Sequence, residues 1–180
     1  MIGIPLEIAV HKLSLDPDFP PVRQKKYLIT EVRNKFVKEE LIRPFNIGSI
    51  REVKYLKWLA SVVVVPKKNN KFRMSVDYKD LNKVCPMDSF SLLNIDQMID
   101  AIDGQELMSF LDAYSGYNQI KMNPEDQEKT SFITNFGTYC YNVMLFGLEN
   151  TGATYQRLVN KMFENQLGKI MEVYIDDMIV

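Results

Sequence analysis

Histidine and cysteine are almost missing from this chain of 180 residues: His11 stands alone, and Cys85 and Cys140 are the two thiols. Their scarcity removes several classes of function. No Cys-x-x-Cys pair and no Cys/His set exists from which a zinc site could be built, and two cysteines make no disulfide framework. Both read as reduced core thiols in a reducing compartment. His11 falls in a polar N-terminal stretch and reads as a surface residue, which argues against histidine acid–base catalysis. Long apolar runs are missing as well. The longest candidate, Leu59 to Val65, is strand-sized, well short of the roughly 20 residues that a membrane-spanning helix needs. No basic segment followed by an apolar stretch opens the chain, so no secretory signal is evident, and a membrane is not among the expected partners. Nor is there a surplus of charge. The 22 Lys and Arg against 23 Asp and Glu leave a net charge of −1, unlike the strongly basic balance common in dedicated nucleic-acid-binding domains.

What the chain does have is apolar bulk. Ten Phe, nine Tyr and Trp58, in a composition that is 46% hydrophobic, supply enough surface to bury a core and exclude a disordered chain. The length suits one domain or two small lobes sharing the chain. Its charges are unevenly spread. Bases crowd at Arg23, Lys25 and Lys26 and at Lys67, Lys68, Lys71 and Arg73; acids crowd at Glu125, Asp126 and Glu128 and at Asp176 and Asp177. A basic patch beside an acidic metal pocket is compatible with a net charge near zero.

Periodicity predicts the elements. Pro5, Pro17, Pro20 and Pro21 make the first 28 residues an extended arm rather than a packed element. Thr30 is placed to cap a helix starting near Glu31, with Val32, Phe36, Val37 and Leu41 at helical spacing. Pro44 should end it, for want of an amide donor and by clash with the preceding turn. Ser61 to Val65 and the alternating Phe72, Met74, Val76 and Tyr78 read as two strands of a hairpin, with Lys67, Lys68, Asn69 and Asn70 as its basic tip. Asn94 would cap a short helix with Ile95, Met98, Ile99 and Ile102 on one face, closed by Gly104. Leu107 to Asp112, Lys129 to Thr134, and Thr138 to Met144 read as strands, the last two joined by a turn at Asn135, Phe136 and Gly137. Thr151 starts a helix with Tyr155, Leu158, Val159, Met162 and Phe163 as its apolar stripe and Gly168 as its stop. Met171, Val173 and Ile175 lead a last strand into Asp176 and Asp177. This order suits an α+β layer architecture, an antiparallel sheet with helices on one face.

Two acidic sites therefore sit at strand ends, Asp112 in one and Asp176 and Asp177 in the other. If the strands are neighbours, three carboxylates converge. Two carboxylates about 4 Å apart repel by roughly 4 kcal/mol at an effective dielectric near 20. Hard divalent cations with oxygen ligands remove that cost. Spacing alone fits a solvated turn as well as a metal site; the surrounding residues change the balance.

Tyr174-Ile175-Asp176-Asp177 resembles the Tyr-x-Asp-Asp signature of reverse transcriptases. Phe110-Leu111-Asp112-Ala113-Tyr114-Ser115-Gly116-Tyr117-Asn118-Gln119-Ile120 resembles the family's first catalytic motif in the wording of gypsy-class LTR retrotransposons, closest to plant elements. Arg73-Met74-Ser75-Val76-Asp77-Tyr78 with Asp80-Leu81-Asn82-Lys83 resembles the fingers motif. Phe146-Gly147-Leu148 with Asn150-Thr151-Gly152-Ala153-Thr154-Tyr155-Gln156-Arg157 resembles the segment between the catalytic motifs. All four occur in the family's order, over nearly the whole chain.

The resemblance implies a fingers-and-palm fold: residues 1–28 as the arm, 29–85 and 120–150 as fingers, 86–119 and 151–180 as an incomplete palm that stops three residues past Asp177, before a thumb. It implies an RNA-directed DNA polymerase fragment of a Pol polyprotein, working by two-metal nucleotidyl transfer onto a primer 3′-hydroxyl, with the isolated chain expected to be inactive because it is truncated. The expected cofactor is Mg²⁺, two ions, with Mn²⁺ as the substitute. The expected partners are an RNA/DNA template-primer and dNTPs, and the expected location is a cytoplasmic particle of the element or the nucleus. Asp112, Asp176 and Asp177 would hold the metals, Asp112 and Asp176 most directly. Tyr117 would lie under the sugar and exclude a 2′-hydroxyl, unless it is a plain core aromatic. Arg73, with Lys67 or Lys68, would clamp the triphosphate. Phe146 and Gly147 would line the nucleotide pocket. Gln156 and Arg157 would meet the template strand or form an exposed helix face, and Asp77 reads as a structural hydrogen-bonding residue. Leu56, Leu93 and Leu145 stand where the family usually has proline, and Pro44 stands where its helix usually continues. The alternatives to a polymerase fragment are a non-catalytic nucleic-acid-binding remnant and a pseudogene product.

Overall fold

The computed structural model describes residues 3–68, 71–90, 95–104, 106–113 and 116–180. In chain order the elements are β1 (Val10–His11), α1 (Glu31–Asn46), β2 (Ile50–Glu52), β3 (Ala60–Pro66), β4 (Phe72–Val76), α2 (Lys79–Asn82), α3 (Ile95–Ile102), β5 (Phe110–Asp112), β6 (Lys121–Met122), β7 (Phe132–Ile133), β8 (Thr138–Tyr141), α4 (Thr151–Met162), β9 (Glu172–Tyr174) and β10 (Asp177–Ile179). Two 3-10 turns, Gly116–Gln119 and Gln127–Thr130, fall on either side of β6.

A five-stranded sheet has the order β2-β8-β7-β3-β4, and a three-stranded antiparallel sheet has the order β5-β10-β9. The larger sheet takes its strands from two distant stretches, joined by the parallel pairing of Ala60 with Phe132 and Ser61 with Ile133. The β3–β4 hairpin forms as its alternation predicts, with Val62 opposite Val76 and Pro66 opposite Phe72. One continuous core runs from Val37 and Leu41 of α1 through Val62, Phe132 and Met144 to Leu158 of α4 and Val173 of β9. Cys85 and Cys140 are both buried free thiols, and Cys85 belongs to that core.

Several expectations need correction. The N-terminal arm is packed rather than loose. β1 pairs in parallel with β6, Leu13 is buried, and Ile4, Ala9 and Leu15 pack against the core. His11 is fully buried, not at the surface. Its Nδ1 lies 3.0 Å from Thr154 Oγ1, while Nε2 has no hydrogen-bond partner among the described residues. Burial lowers its pKa to about 4, only partly opposed by the charge of Asp126. Pro44 does not stop α1. The turn after it closes through Ile47 N to Arg43 O at 3.1 Å and Ser49 N to Pro44 O at 2.9 Å, so the helix runs on to Asn46. Pro44 still forfeits its own amide bond, and α1 ends two residues beyond it, its last turn held by the carbonyls of Arg43 and Pro44.

Other differences concern element ends and faces. Thr30 caps α1 by backbone conformation without a side-chain hydrogen bond, and Val32 is exposed. Met98 of α3 is buried but Ile99 is exposed; the expected cap Asn94 lies outside the described residues, as do Leu93 and the hairpin-tip residues Asn69 and Asn70. β5 begins at Phe110, not Leu107, although Ser109 extends the pairing through two hydrogen bonds with Val180. Residues 127–130 are a 3-10 turn instead of a strand. The buried carboxylate of Asp126 draws Leu13 N, Asn123 Nδ2 and Lys129 Nζ onto itself, which bends the chain there. β8 ends at Tyr141, short of Met144. α4 ends at Met162, itself exposed, well before Gly168.

Candidate functional site

The β9–β10 hairpin and the end of β5 bring the acidic residues together. Asp177 is the register partner of both Asp112 across β5 and Tyr174 across β9. Directly opposed residues of an antiparallel pair have Cα atoms about 4.5–5.5 Å apart, so the backbone brings Asp112 and Asp177 side by side. Asp176 occupies the two-residue turn, and its carbonyl accepts a 3.0 Å hydrogen bond from Ala113 N. The carboxylates point to different surroundings. Asp176 and Asp112 both raise the pKa of Tyr155, after the larger effect of burial. Asp177 lines an apolar groove with Asp112, Phe110, Met98 and Met178.

None of the three carboxylates has a salt bridge among the described residues. Nor do the described residues contain a set of three or more acidic, histidine or cysteine side chains close enough to enclose a metal. The donor set consists of carboxylates alone and lacks a protein counter-cation. It fits a hard divalent cation that finds its remaining oxygen ligands in water or phosphate.

Beside the carboxylates lies an aromatic stack. Tyr117 sits between Phe146, with centroids 4.0 Å apart, and Tyr155, at 5.0 Å and nearly parallel. A Cβ on Gly116 would come within 2.3 Å of the Tyr155 hydroxyl, so this close approach requires glycine. Burial, and then the charge of Asp176, push the Tyr117 phenol up to about 12, and it stays neutral. Tyr117 is only 5% exposed while Phe146 is 60% exposed. In this arrangement Phe146 presents the outer surface and Tyr117 backs it, which matches the core-aromatic alternative for Tyr117.

Phe146 and Arg73 both line a groove of about 450 Å³, together with Asn118, Leu145 and Tyr141. Arg73 is exposed on β4; Lys67 and Lys68 are exposed near the hairpin tip, which Lys67 N closes onto Lys71 O at 2.7 Å. Gly147 has φ 95°, a conformation that glycine adopts without strain. Leu145, at a position where proline was expected, is buried, and Leu56 faces a separate hollow beside Arg23.

Asn82 is a site residue to which the motif reading assigned no role. Its Nδ2 donates to Gly147 O at 2.7 Å and its Oδ1 accepts from Glu149 N at 3.0 Å, fixing the wall that carries Phe146. An asparagine that caps a distant loop leaves no periodic signal in the sequence.

Gln156 and Arg157 are not a free polar face. Gln156 is 1% exposed and points inward; its amide bonds to the backbone of Val173 and Ile175. Arg157 makes a bidentate ion pair with Asp88, Nη2 to Oδ1 at 2.8 Å and Nη1 to Oδ2. Its guanidinium also lies 4.6 Å from the centre of the Phe90 ring. The pairing holds the Asp88 carboxyl below its ordinary range. Asp77 accepts from Tyr27 Oη and Lys79 N, as a structural residue would.

The fold and this acidic hairpin match one family. A profile described as "Reverse transcriptase (RNA-dependent DNA polymerase)" matches residues 65–180, and the chain belongs to that family. Among its relatives are the Pol polyproteins of retrotransposons. The chain is 33% identical over 165 residues to the retrovirus-related Pol polyprotein from transposon 297 of Drosophila melanogaster, covering 89% of this chain and 16% of the relative. It is 30% identical to the corresponding polyprotein from transposon gypsy of the same organism, over 99% of this chain and 18% of the relative. An RNA-directed DNA polymerase homolog of Oenothera berteroana is 33% identical over 60% of this chain and 76% of that protein. The chain thus spans less than a fifth of the two polyproteins.

Solved structures agree on the fold. Prototype foamy virus protease–reverse transcriptase superposes with a TM-score of 0.82 at 23% identity, covering 95% of this chain and 22% of that one. The foamy viral enzyme in complex with an RNA/DNA hybrid superposes at 0.84 and 19% identity, covering 99% and 24%.

Proposed function

We propose that this chain carries the nucleotidyl-transfer site of an RNA-directed DNA polymerase. The five-stranded sheet serves as fingers and the three-stranded sheet as palm. The observation that carries the reading is the register of Asp112 against Asp177, with Asp176 in the adjoining turn and no salt bridge to any of them among the described residues. Asp112 and Asp176, with Asp177 in support, would hold two Mg²⁺ ions, which Mn²⁺ can replace. When bound, such ions activate an attacking hydroxyl and stabilise the leaving oxygen. Arg73, with Lys67 or Lys68, receives the triphosphate of a dNTP through charge-assisted hydrogen bonds. The exposed face of Phe146, backed by Tyr117 and Tyr155 and fixed by Asn82 through Gly147, bounds the nucleotide. Tyr117, directly behind that ring, would exclude a 2′-hydroxyl on the sugar. The template-primer lies along the carboxylate edge, as an RNA/DNA hybrid. Gln156 and Arg157 have no direct part in holding it, because both side chains are already engaged within the chain.

Primer extension on an RNA template with Mg²⁺ and dNTPs tests this reading. A longer Pol segment that contains this chain should incorporate dNTPs and lose that activity in Asp176→Asn; incorporation that survives the substitution removes Asp176 from the mechanism. The exposed Lys67, Lys68 and Arg73 support a second reading, in which the basic hairpin holds phosphates without chemistry. That reading predicts no incorporation, together with an RNA/DNA affinity that falls steeply with salt through counterion release.

A further inference from the structure

Gln156 projects from the middle of α4 into the edge of the three-stranded sheet. β9 is the edge strand, so its outward backbone groups have no strand partner. Two of them, Val173 C=O and Ile175 N–H, flank Tyr174 and point away from β10. The Gln156 amide meets both. Its Nε2 donates to Val173 O at 3.0 Å, and its Oε1 accepts from Ile175 N at 2.6 Å. The second Nε2 hydrogen goes to Asn160 Oδ1 at 2.9 Å. Donating to one residue and accepting from the residue two further on is what a single peptide of a neighbouring parallel strand does. The side-chain amide therefore acts as a one-residue strand that closes an otherwise open edge.

The closed edge borders the strained point of the hairpin. Ile175 has φ 58°, and a β-branched residue at positive φ is a genuine outlier that its surroundings must enforce. Ile175 is seated on α4 at two places one turn apart. Its N–H is held by Gln156, and its Cδ1 lies 3.6 Å from where a Cβ on Gly152 would stand. Asp176 follows immediately. Nothing among the described residues neutralises its charge or that of its neighbours, so mutual repulsion favours opening the turn.

We infer that Gln156 is a positioning residue. By completing the β9 edge it holds Ile175 at positive φ and so aims Asp176 at the face shared with Asp112. This rests on the proposal that these carboxylates hold divalent cations. It goes beyond that proposal by assigning the alignment to one buried amide, and it explains why a glutamine occupies the core.

The test uses the 180-residue chain with two variants, Gln156→Leu, which keeps the bulk and loses every bond, and Gln156→Glu, which keeps an acceptor and loses the donors. Asp112→Asn is the control for the metal reading. Two quantities are read on samples shown by thermal melting to be folded: Mn²⁺ affinity by titration, and amide hydrogen exchange at Ile175 by NMR. In Gln156→Leu the Ile175 amide should exchange at least tenfold faster, and Mn²⁺ affinity should fall roughly tenfold, as when the support of a metal ligand is removed. Gln156→Glu should keep much of the Ile175 protection but lose affinity, because its new charge faces Val173 O. A merely structural role would lower the melting temperature and leave the affinity of the folded protein unchanged, and that result overturns the inference. If the wild type and Asp112→Asn bind Mn²⁺ equally weakly, the metal reading fails on its own. The exchange rate at Ile175 then decides whether Gln156 holds the turn: unchanged exchange in Gln156→Leu refutes it, and accelerated exchange supports it. Should Gln156→Leu not fold, Gln156→Glu answers through the same two measurements.

Discussion

The two sheets of this chain are stabilised in different ways. The five-stranded sheet is self-sufficient. Its central residues Phe132, Val62 and Cys140 are buried, and Phe132 packs against Tyr139 and Tyr141 at centroid distances of 5.9 and 5.3 Å. The three-stranded sheet is short and half uncovered. Phe110 is 72% exposed and Leu111 51%, and an apolar groove of about 520 Å³ runs beside them. Burial of apolar area dominates folding, so the first sheet owes its geometry to packing. The second owes its geometry to particular hydrogen bonds: Gln156 on β9, Ser109 with Val180 on β5, and Ala113 with Asp176 at the turn. A site built this way can place charged side chains at an open edge, where a dry core would reject them.

The largest effect should come from the packed sheet. Phe132→Ala should destabilise the chain by about 3–5 kcal/mol, the usual result of emptying a buried aromatic position, and denaturant unfolding measures it. The same truncation at Phe110 should have little effect, because that ring is already solvated. Equal losses at the two positions would erase the contrast between the sheets.

A second effect comes from the arm that braces α4 beneath the hairpin. His11 has a folded pKa of about 4 against 6.5 when free, so the unfolded chain binds more protons between these values. Stability is then fully present above about pH 6.5 and falls as the pH drops towards 4, by on the order of 3 kcal/mol. Melting temperature measured from pH 7 to pH 4 should show this decline, and His11→Gln should flatten its part. A wild-type profile that His11→Gln leaves unchanged would mean that another group governs the acid limb.

The smallest effect is expected at Arg157. Its ion pair with Asp88 is exposed on the arginine side, with the side chain 50% accessible, and such pairs contribute about 0.2–1 kcal/mol. Arg157→Ala should shift stability by no more than that in chemical denaturation. A much larger loss would show that the loop at residues 86–90 belongs to the palm's folding unit.

Much of this was legible in the sequence, for reasons that differ by residue. The β3–β4 hairpin followed from strict alternation at Phe72, Met74 and Val76, because one face is buried and the period of two is enforced. The convergence of Asp112 with Asp176 and Asp177 was expected on the condition that their strands are neighbours, and β5 pairs with β10. His11 was misread because the prolines and charges of the N-terminal stretch suggested a loose arm; burial there depends on a parallel pairing with Lys121 and Met122 that no local pattern announces. Gln156 was misread for the same reason. A glutamine on a helix defaults to solvent, and only the position of β9 shows that its amide completes a sheet edge. Pro44 shows the limit of a local rule: it lacks an amide donor, yet α1 runs two residues past it.

The central claim is that the end of β5 and the β9–β10 turn form a divalent-cation site. Anomalous X-ray scattering from crystals of this chain soaked in Mn²⁺ tests it most directly. The account predicts an anomalous peak within about 2.0–2.2 Å of carboxylate oxygens of both Asp112 and Asp176, the range expected for a small hard cation. Well-ordered carboxylates without a peak between them, or with Mn²⁺ bound only elsewhere, would contradict it.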